Sequence, residues 1–281
     1  MQKRTQLLED YREELVKKEY SQGTVEKYLR DMEAFCRWLE NQPGRGLTRE
    51  NILAWKEYLI AKKYAPVTIN SMLSSLNHFL RFLKREELKV RFLRIQRQTF
   101  RPAEKNLTKQ EFERLKRTAR MQGDQRMELL LDAMAGTGIR VSEVKYLTVE
   151  ALRAGKAEIS LKGKIRTILL PGKLRKRLKE YAKAKGITAG EIFCTRTGKS
   201  LSRRQIWREM KRLCKAAQVS PEKVFPHNLR HLFAAVFYNV SRDIVKLADV
   251  LGHSSVETTR IYLRTAGEEH LRLLERMRLI C

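Results

Sequence analysis

Residues 251–262 read LGHSSVETTRIY, and this stretch sets the expected architecture. Gly252 can end a helix in the left-handed conformation that other side chains resist, and Ser254 with Glu257 has capping-box spacing for a following helix. His253 is then held in a tight turn between two helices, with Tyr262 about two helical turns further on. The same punctuation recurs upstream. In residues 137–143, TGIRVSE, a helix ends at Gly136 and Gly138 and turns into another, with Arg140 at the turn. In residues 226–231, PHNLRH, Pro226 suits a first helical turn, and His227 and Arg230 at i, i+3 share a face.

Outward from these turns the chain reads as helix almost throughout. Val25, Tyr28, Leu29, Met32, Phe35, Cys36 and Leu39 recur at spacings of three and four, one apolar face that Thr24 is placed to cap. Gly44 and Gly46 break the chain. Thr48 with Asn51 opens a helix through Ile52, Trp55 and Leu59, and Pro66 starts another carrying Ile69, Met72, Leu73, Leu76, Phe79, Leu80 and Leu83. These stripes are core packing rather than a cofactor box. The period dissolves in VRFLRIQRQTFRPAEKN, a linker, and resumes at Leu107 with a Thr108/Glu111 capping box. Residues 157–170, AEISLKGKIRTILL, are rich in β-branched residues around Lys162-Gly163-Lys164 and read as a hairpin. The expected fold is mainly α, with a small helical domain over 1–95, a linker over 96–106, and a second α-rich domain with a short β-hairpin over 107–281.

The chain has 281 residues, with 59 Lys and Arg against 32 Asp and Glu, a formal net charge of +27. Apolar residues make up 42%, which fits two globular domains and not a disordered basic tail. No run approaches the roughly 18 apolar residues of a membrane span, and the N-terminus lacks the apolar core of a signal peptide. A cytosolic, nucleoid-associated location is therefore expected, with no membrane partner. Cys36, Cys194, Cys214 and Cys281 are too dispersed for a disulfide scaffold or a zinc finger. Residues 1–100 hold 20 basic against 13 acidic side chains, and residues 101–281 hold 39 against 19. Both halves are basic, so two domains sharing one polyanion is the expected arrangement. Residues 171–215 alone carry 15 Lys and Arg against three acids. In the helix expected over 201–217, Ile206, Trp207 and Leu213 should pack while the opposite side presents cations.

Five segments together form a set suited to phosphoryl transfer. Arg140 at a turn can aim a planar fork of donors at a phosphate, although an arginine alone is usually just solvated. Lys162 or Lys164, on the hairpin turn, can deliver a proton to a leaving hydroxyl. His227 beside Arg230 can bind an anion and move a proton, and His253 sits in the interhelical turn. Tyr262 is a weak nucleophile near its usual pKa of about 10 and needs neighbouring cations to attack a phosphate at neutral pH. No P-loop and no metal-ligand spacing accompany them.

The ordered set Arg140, Lys162, His227-x-x-Arg230, Leu-Gly-His253 and Tyr262 resembles the signature of the tyrosine recombinases, also called the phage integrase family, including its Xer-type and transposon members. The T-G-I-R-x-S-E, H-x-L-R-H, L-G-H-S-S and T-T-x-x-Y blocks carry the resemblance over about residues 107–262. The helical N-terminal part is similar to the family's core-binding domain, which would clamp the opposite face of a duplex. The resemblance implies a site-specific recombinase that cuts and rejoins double-stranded DNA at core sites. Tyr262 would form a covalent 3′-phosphotyrosyl bond, Arg140 and Arg230 would hold the non-bridging oxygens, His227 and His253 would assist, and Lys162 would be the general acid. The strand's energy would be kept in that bond, so the resemblance implies neither cofactor nor metal. The hairpin, Lys162-Gly163-Lys164-Ile165-Arg166, is one residue shorter than the family's K-G-x-K-x-R, so Lys164 rivals Lys162. Asn239-Val240-Ser241 replaces a glycine common before the helix leading to L-G-H.

The resemblance also implies a homotetramer on two duplexes, with the tail after Tyr262 docking in trans through Leu271, Leu274, Met277 and Ile280. No additional arm-binding domain is evident, which leans towards a simple core-site recombinase. A non-catalytic DNA-binding protein on the same scaffold and a type IB topoisomerase are the alternatives. The intact tyrosine, arginines and histidines weigh against the first, and the tail helix against the second.

Overall fold

The computed structural model describes residues 2–42, 46–95, 106–161, 164–195, 197–253 and 255–263, with backbone alone for residues 2, 3, 161, 164, 165 and 263. The linker expected over 96–106, apart from Asn106, lies outside the described residues, as do Lys162, Ser254 and the tail beyond Leu263. Two compact units make up the chain, Met1–Arg97 and Gln98–Cys281.

The first unit has four principal helices: α1 (Gln2–Lys17), α2 (Gln22–Leu39), α3 (Arg49–Ala61) and α4 (Pro66–Phe82). Thr48 caps α3 by accepting a hydrogen bond from the Asn51 amide, and Pro66 occupies the first turn of α4, where its missing N–H costs nothing. The start of α2 differs from the expectation. Its N-cap position is Ser21, whose extended backbone turns the chain into the helix early, and Thr24 spends its hydroxyl on Ser21 Oγ at 2.8 Å. Tyr11, Leu15, Met32, Phe35, Ile52, Trp55, Leu73 and Leu76 are buried together. Asp31 is also buried, and accepts from Lys27 Nζ at 2.8 Å and from Ser75 Oγ at 2.7 Å, tying α2 to α4.

The second unit runs α5 (Lys109–Met121), α6 (Gln125–Thr137), a 3-10 turn (Val141–Tyr146), α7 (Val149–Ala154), β1 (Lys156–Leu161), β2 (Lys164–Leu169), α8 (Gly172–Ala184), α9 (Arg203–Ala217), α10 (Pro226–Ser241), α11 (Ile244–Leu251) and α12 (Val256–Arg260). The Thr108/Glu111 box that opens α5 is reciprocal, each side chain bonding the other residue's amide. Strands β1 and β2 pair antiparallel from Lys156 opposite Leu169 to Leu161 opposite Lys164, and bury Ala157, Ile159 and Ile168. Arg120 and Arg177 converge on Glu128, and Lys116 and Arg177 on Asp132, joining α5, α6 and α8.

Helix α9 buries Ile206, Met210, Leu213, Cys214 and Ala217. Trp207, expected in that stripe, is 46% exposed. It follows Ile206 by one residue, about 100° round the helix, and lies instead beneath the Lys211 ammonium, 5.2 Å from the ring centroid. Among the described residues no helix is long and apolar enough to cross a membrane, and Cys36, Cys194 and Cys214 are free thiols.

Candidate phosphodiester site

Two left-handed glycines place the site. Gly138 (φ 61°) ends α6 and Gly252 (φ 61°) ends α11, so each helix stops where its last carbonyls face inward. Neither tolerates a Cβ: at Gly138 it would strike the Phe233 ring, and at Gly252 the Arg166 side chain. The carbonyls of Gly138 and Leu251 accept from Arg230 Nη1 and Nη2, the latter at 2.7 Å. A helix begun by Pro226 thus presents Arg230, only 2% exposed, to two helix ends.

His253 follows Gly252, and its bonds fix its tautomer. Arg230 Nη2 lies 2.9 Å from Nε2, and because a guanidinium can only donate, Nε2 is the acceptor. Nδ1 then carries the proton and donates to the buried Thr259 Oγ1 at 2.8 Å. Burial, then the charges of Arg230, Arg140 and Arg166, push the imidazole pKa down to about 4, so it is neutral at pH 7. Burial likewise lowers Arg230, and brings Arg166 to about 10, still charged at neutral pH.

Tyr262 completes the cluster. Its hydroxyl accepts from Arg230 Nε at 3.4 Å, and its ring lies with centroids 5.6 Å from His253, 5.5 Å from His227 and 4.4 Å from His231. Arg140 stands at the start of the 3-10 turn, its amide and guanidinium both donating to Glu143, at 2.9 and 2.8 Å. Arg140, His227 and Arg230 line one concavity of about 690 Å³ together with Ser142, Arg203, Arg204 and Trp207.

The structure therefore brings Arg140, His227, Arg230, His253 and Tyr262 to one place. Lys162 lies outside the described residues, and Lys164 is described by backbone alone, opening β2. Helix α12 is capped by Ser255, which accepts from the Glu257 amide, where the sequence pointed to Ser254. Sequence reasoning assigned no role to Glu143, Arg166, His231 or Thr259. The capping-type spacing of Arg140 and Glu143 could have revealed the first. Among the described residues no group of three or more His, Cys, Asp and Glu is placed to hold a metal ion. Chemically, the cluster offers buried and half-exposed guanidinium donors, a neutral imidazole and a phenol around an open concavity, an arrangement that suits a phosphate oxyanion.

Fold and site define an α-rich protein of two units with a guanidinium, imidazole and phenol centre on helix ends. Residues 105–269 match the model of the phage integrase family, and residues 8–87 that of the phage integrase N-terminal SAM-like domain. The chain belongs to the phage integrase family. It is 32% identical over 162 residues to the tyrosine recombinase XerA of Pyrococcus furiosus, covering 55% of this chain and 56% of that protein. It is 36% identical over 154 residues to the tyrosine recombinase XerC of Neisseria meningitidis, covering 52% and 49%. The matched region thus spans about half the length of these relatives. In fold the chain resembles a lambda integrase dimer bound to a core site (TM-score 0.73, 18% identity, 92% of this chain and 94% of that one). It also resembles the Tn1549 transposon integrase bound to transposon end DNA (TM-score 0.68, 18% identity, 97% and 99%).

Proposed function

We propose that this chain is a site-specific DNA recombinase that breaks and rejoins duplex DNA through Tyr262. The observation that carries the reading is the Tyr262 hydroxyl held by Arg230 Nε among the rings of His227, His231 and His253. In the proposed step the phenolic oxygen bonds the scissile phosphorus, the bond from phosphorus to the 5′ oxygen breaks, and a 5′-hydroxyl leaves. The strand end stays on the protein as a 3′-phosphotyrosine, and attack by a 5′-hydroxyl reverses the step, so no nucleotide is consumed. Arg140 and Arg230 hold the non-bridging oxygens, the electrostatic contribution that usually dominates such catalysis. His227 and His253 assist proton movement at the nucleophile, and Lys162, with Lys164 as its rival, protonates the leaving oxygen.

The helical unit before the linker serves as the core-binding domain, and residues 107–281 as the catalytic one. Solved relatives include a lambda integrase tetramer bound to a Holliday junction. For this chain the corresponding proposal is four protomers on two duplexes, the tail docking in trans, acting in the cytoplasm on integration, excision or replicon resolution.

A nicked suicide duplex that traps the cleaved intermediate tests the chemistry. A denaturant-resistant adduct between protein and DNA is expected, and it must vanish in Tyr262→Phe. Absence of an adduct on a genuine core site leaves a non-catalytic DNA-binding protein on the same scaffold.

A further inference from the structure

Arg166 stands apart from the residues assigned above, yet from one of the segments that carry them it touches two others. It lies on β2, two residues after Lys164 and four after Lys162. Its side chain is 10% exposed. Nη1 donates to both oxygens of Glu143, at 3.2 and 2.9 Å, and Nη2 donates to the Val250 carbonyl at 3.2 Å. Glu143 is the carboxylate that holds Arg140 by amide and guanidinium alike. Val250 is in the last turn of α11, just before Gly252 and His253. The alkyl part of Arg166 fills the space where any residue but glycine at 252 would put its Cβ. One guanidinium therefore connects the lysine-bearing hairpin to the carboxylate behind Arg140 and to the turn that carries His253.

A two-stranded hairpin has little cohesion of its own, so its placement depends on such tertiary anchors. Surface ion pairs contribute little, but a desolvated guanidinium bonded to a carboxylate and a carbonyl at once fixes position as well as charge. Glu143 is 3% exposed, and without Arg166 its charge would fall to Arg140 alone. The distance from Arg166 to Val250 in sequence is 84 residues, so the contact is a tertiary lock and not local strand geometry.

We infer that Arg166 is a positioning residue: it locks the lysine-bearing hairpin to the Arg140 and His253 segments, so that the general acid meets the leaving oxygen of the phosphate that the arginines hold. This rests on the recombinase reading above. It assigns Arg166 to the protonation of the leaving group, since it touches the element that carries the acid.

Two suicide duplexes separate the possibilities, one with the ordinary 5′ oxygen and one with sulfur in its place. A thiol, with an ordinary pKa of about 8.5, leaves without help from an acid. In Arg166→Lys the charge is kept, but the bonds to Glu143 and Val250 cannot be made together. Cleavage of the ordinary duplex should fall about 100-fold, the scale of a misplaced acid. On the sulfur duplex the loss should shrink to about threefold or less. The same rescue in whichever of Lys162→Ala and Lys164→Ala it occurs identifies the acid and gives the benchmark. Arg166→Gln is the second variant, and each ratio is taken on one folded preparation, so partial unfolding lowers both rates alike and leaves the ratio unmoved. Equal losses on the two duplexes, or no loss on either, overturn the proposal while leaving the recombinase reading intact. A wild-type protein that forms no adduct with either duplex overturns that reading and this one together.

Discussion

At the scale of single residues, the chemistry of the site depends on which nitrogen carries a proton. Arg230 Nη2 needs an acceptor, so His253 must be neutral to receive it, and protonation of Nε2 would set two cations against each other. The folded imidazole sits at about pKa 4, against about 6.5 for an unfolded histidine. Between these values the unfolded chain binds more protons than the folded one, so stability rises with pH. The contribution is complete above about pH 6.5, declines as the pH falls to about 4, and is flat below. In His253→Gln the amide can still accept from Arg230 and donate to Thr259, but it does not titrate. As the pH is lowered from 7 to 4 the thermal unfolding midpoint of the wild type should fall more than that of the variant, and parallel curves would contradict a folded His253 that stays neutral. Arg140, His227, Arg230, His253 and Tyr262 were legible because each sits in a short motif with local punctuation. Arg166 and Thr259 were not. The partner of Arg166 is an 84-residue step away, and the hydroxyl of Thr259 acquires meaning only once a histidine tautomer is known.

At the scale of elements, caps and glycine stops were readable because their bonds span only three or four residues. Thr48, Thr108, Gly138 and Gly252 stand where the sequence placed them. Thr24 and Ser254 did not mark their helix starts: the N-cap positions fall at Ser21, three residues before Thr24, and at Ser255, where the backbone is extended and turns into the helix. Trp207 was misread because a stripe has edges, and one residue past the buried position turns a side chain from the core. The Asp31 network was invisible for another reason: α2 and α4 meet across 44 residues. Its energetics are testable. Asp31→Ala removes the carboxylate that Lys27 and Ser75 share, leaving them only the Ser71 carbonyl and each other, and should cost about 1–3 kcal/mol. Asp31→Leu combined with Lys27→Met removes the charge and its partner together and should recover most of that loss. Denaturant unfolding in a Trp207→Phe background reads Trp38 and Trp55, both in the first unit. If the double variant is no more stable than the single one, the network is not governed by the buried charge.

At the scale of the whole molecule, the charge of +27 gains a physical meaning from where the acids are spent. In the second unit Glu111 pairs with Lys223, Glu128 with Arg120 and Arg177, Glu143 with Arg140 and Arg166, and Glu209 with Arg126. All of these but the local Glu143–Arg140 pair fasten one element to another. Even if all 19 acids of residues 101–281 were paired one to one, 20 of the 39 basic side chains would remain uncompensated. Such a surplus repels itself within the fold and is relieved by a polyanion, whose condensed counterions are released on binding. Each neutralised phosphate contributes about −0.9 to the slope of log K against log salt concentration. Six or more phosphate contacts then give a slope of about −5 or steeper, measured by anisotropy of a labelled duplex from about 50 to about 200 mM salt. Arg203 and Arg204 line the concavity beside Arg140 and His227, so replacing either with Ala should make the slope shallower by about one if it meets a phosphate. A wild-type slope between zero and about −2 would mean that the surplus faces solvent rather than a duplex, and would remove the electrostatic support for a DNA substrate.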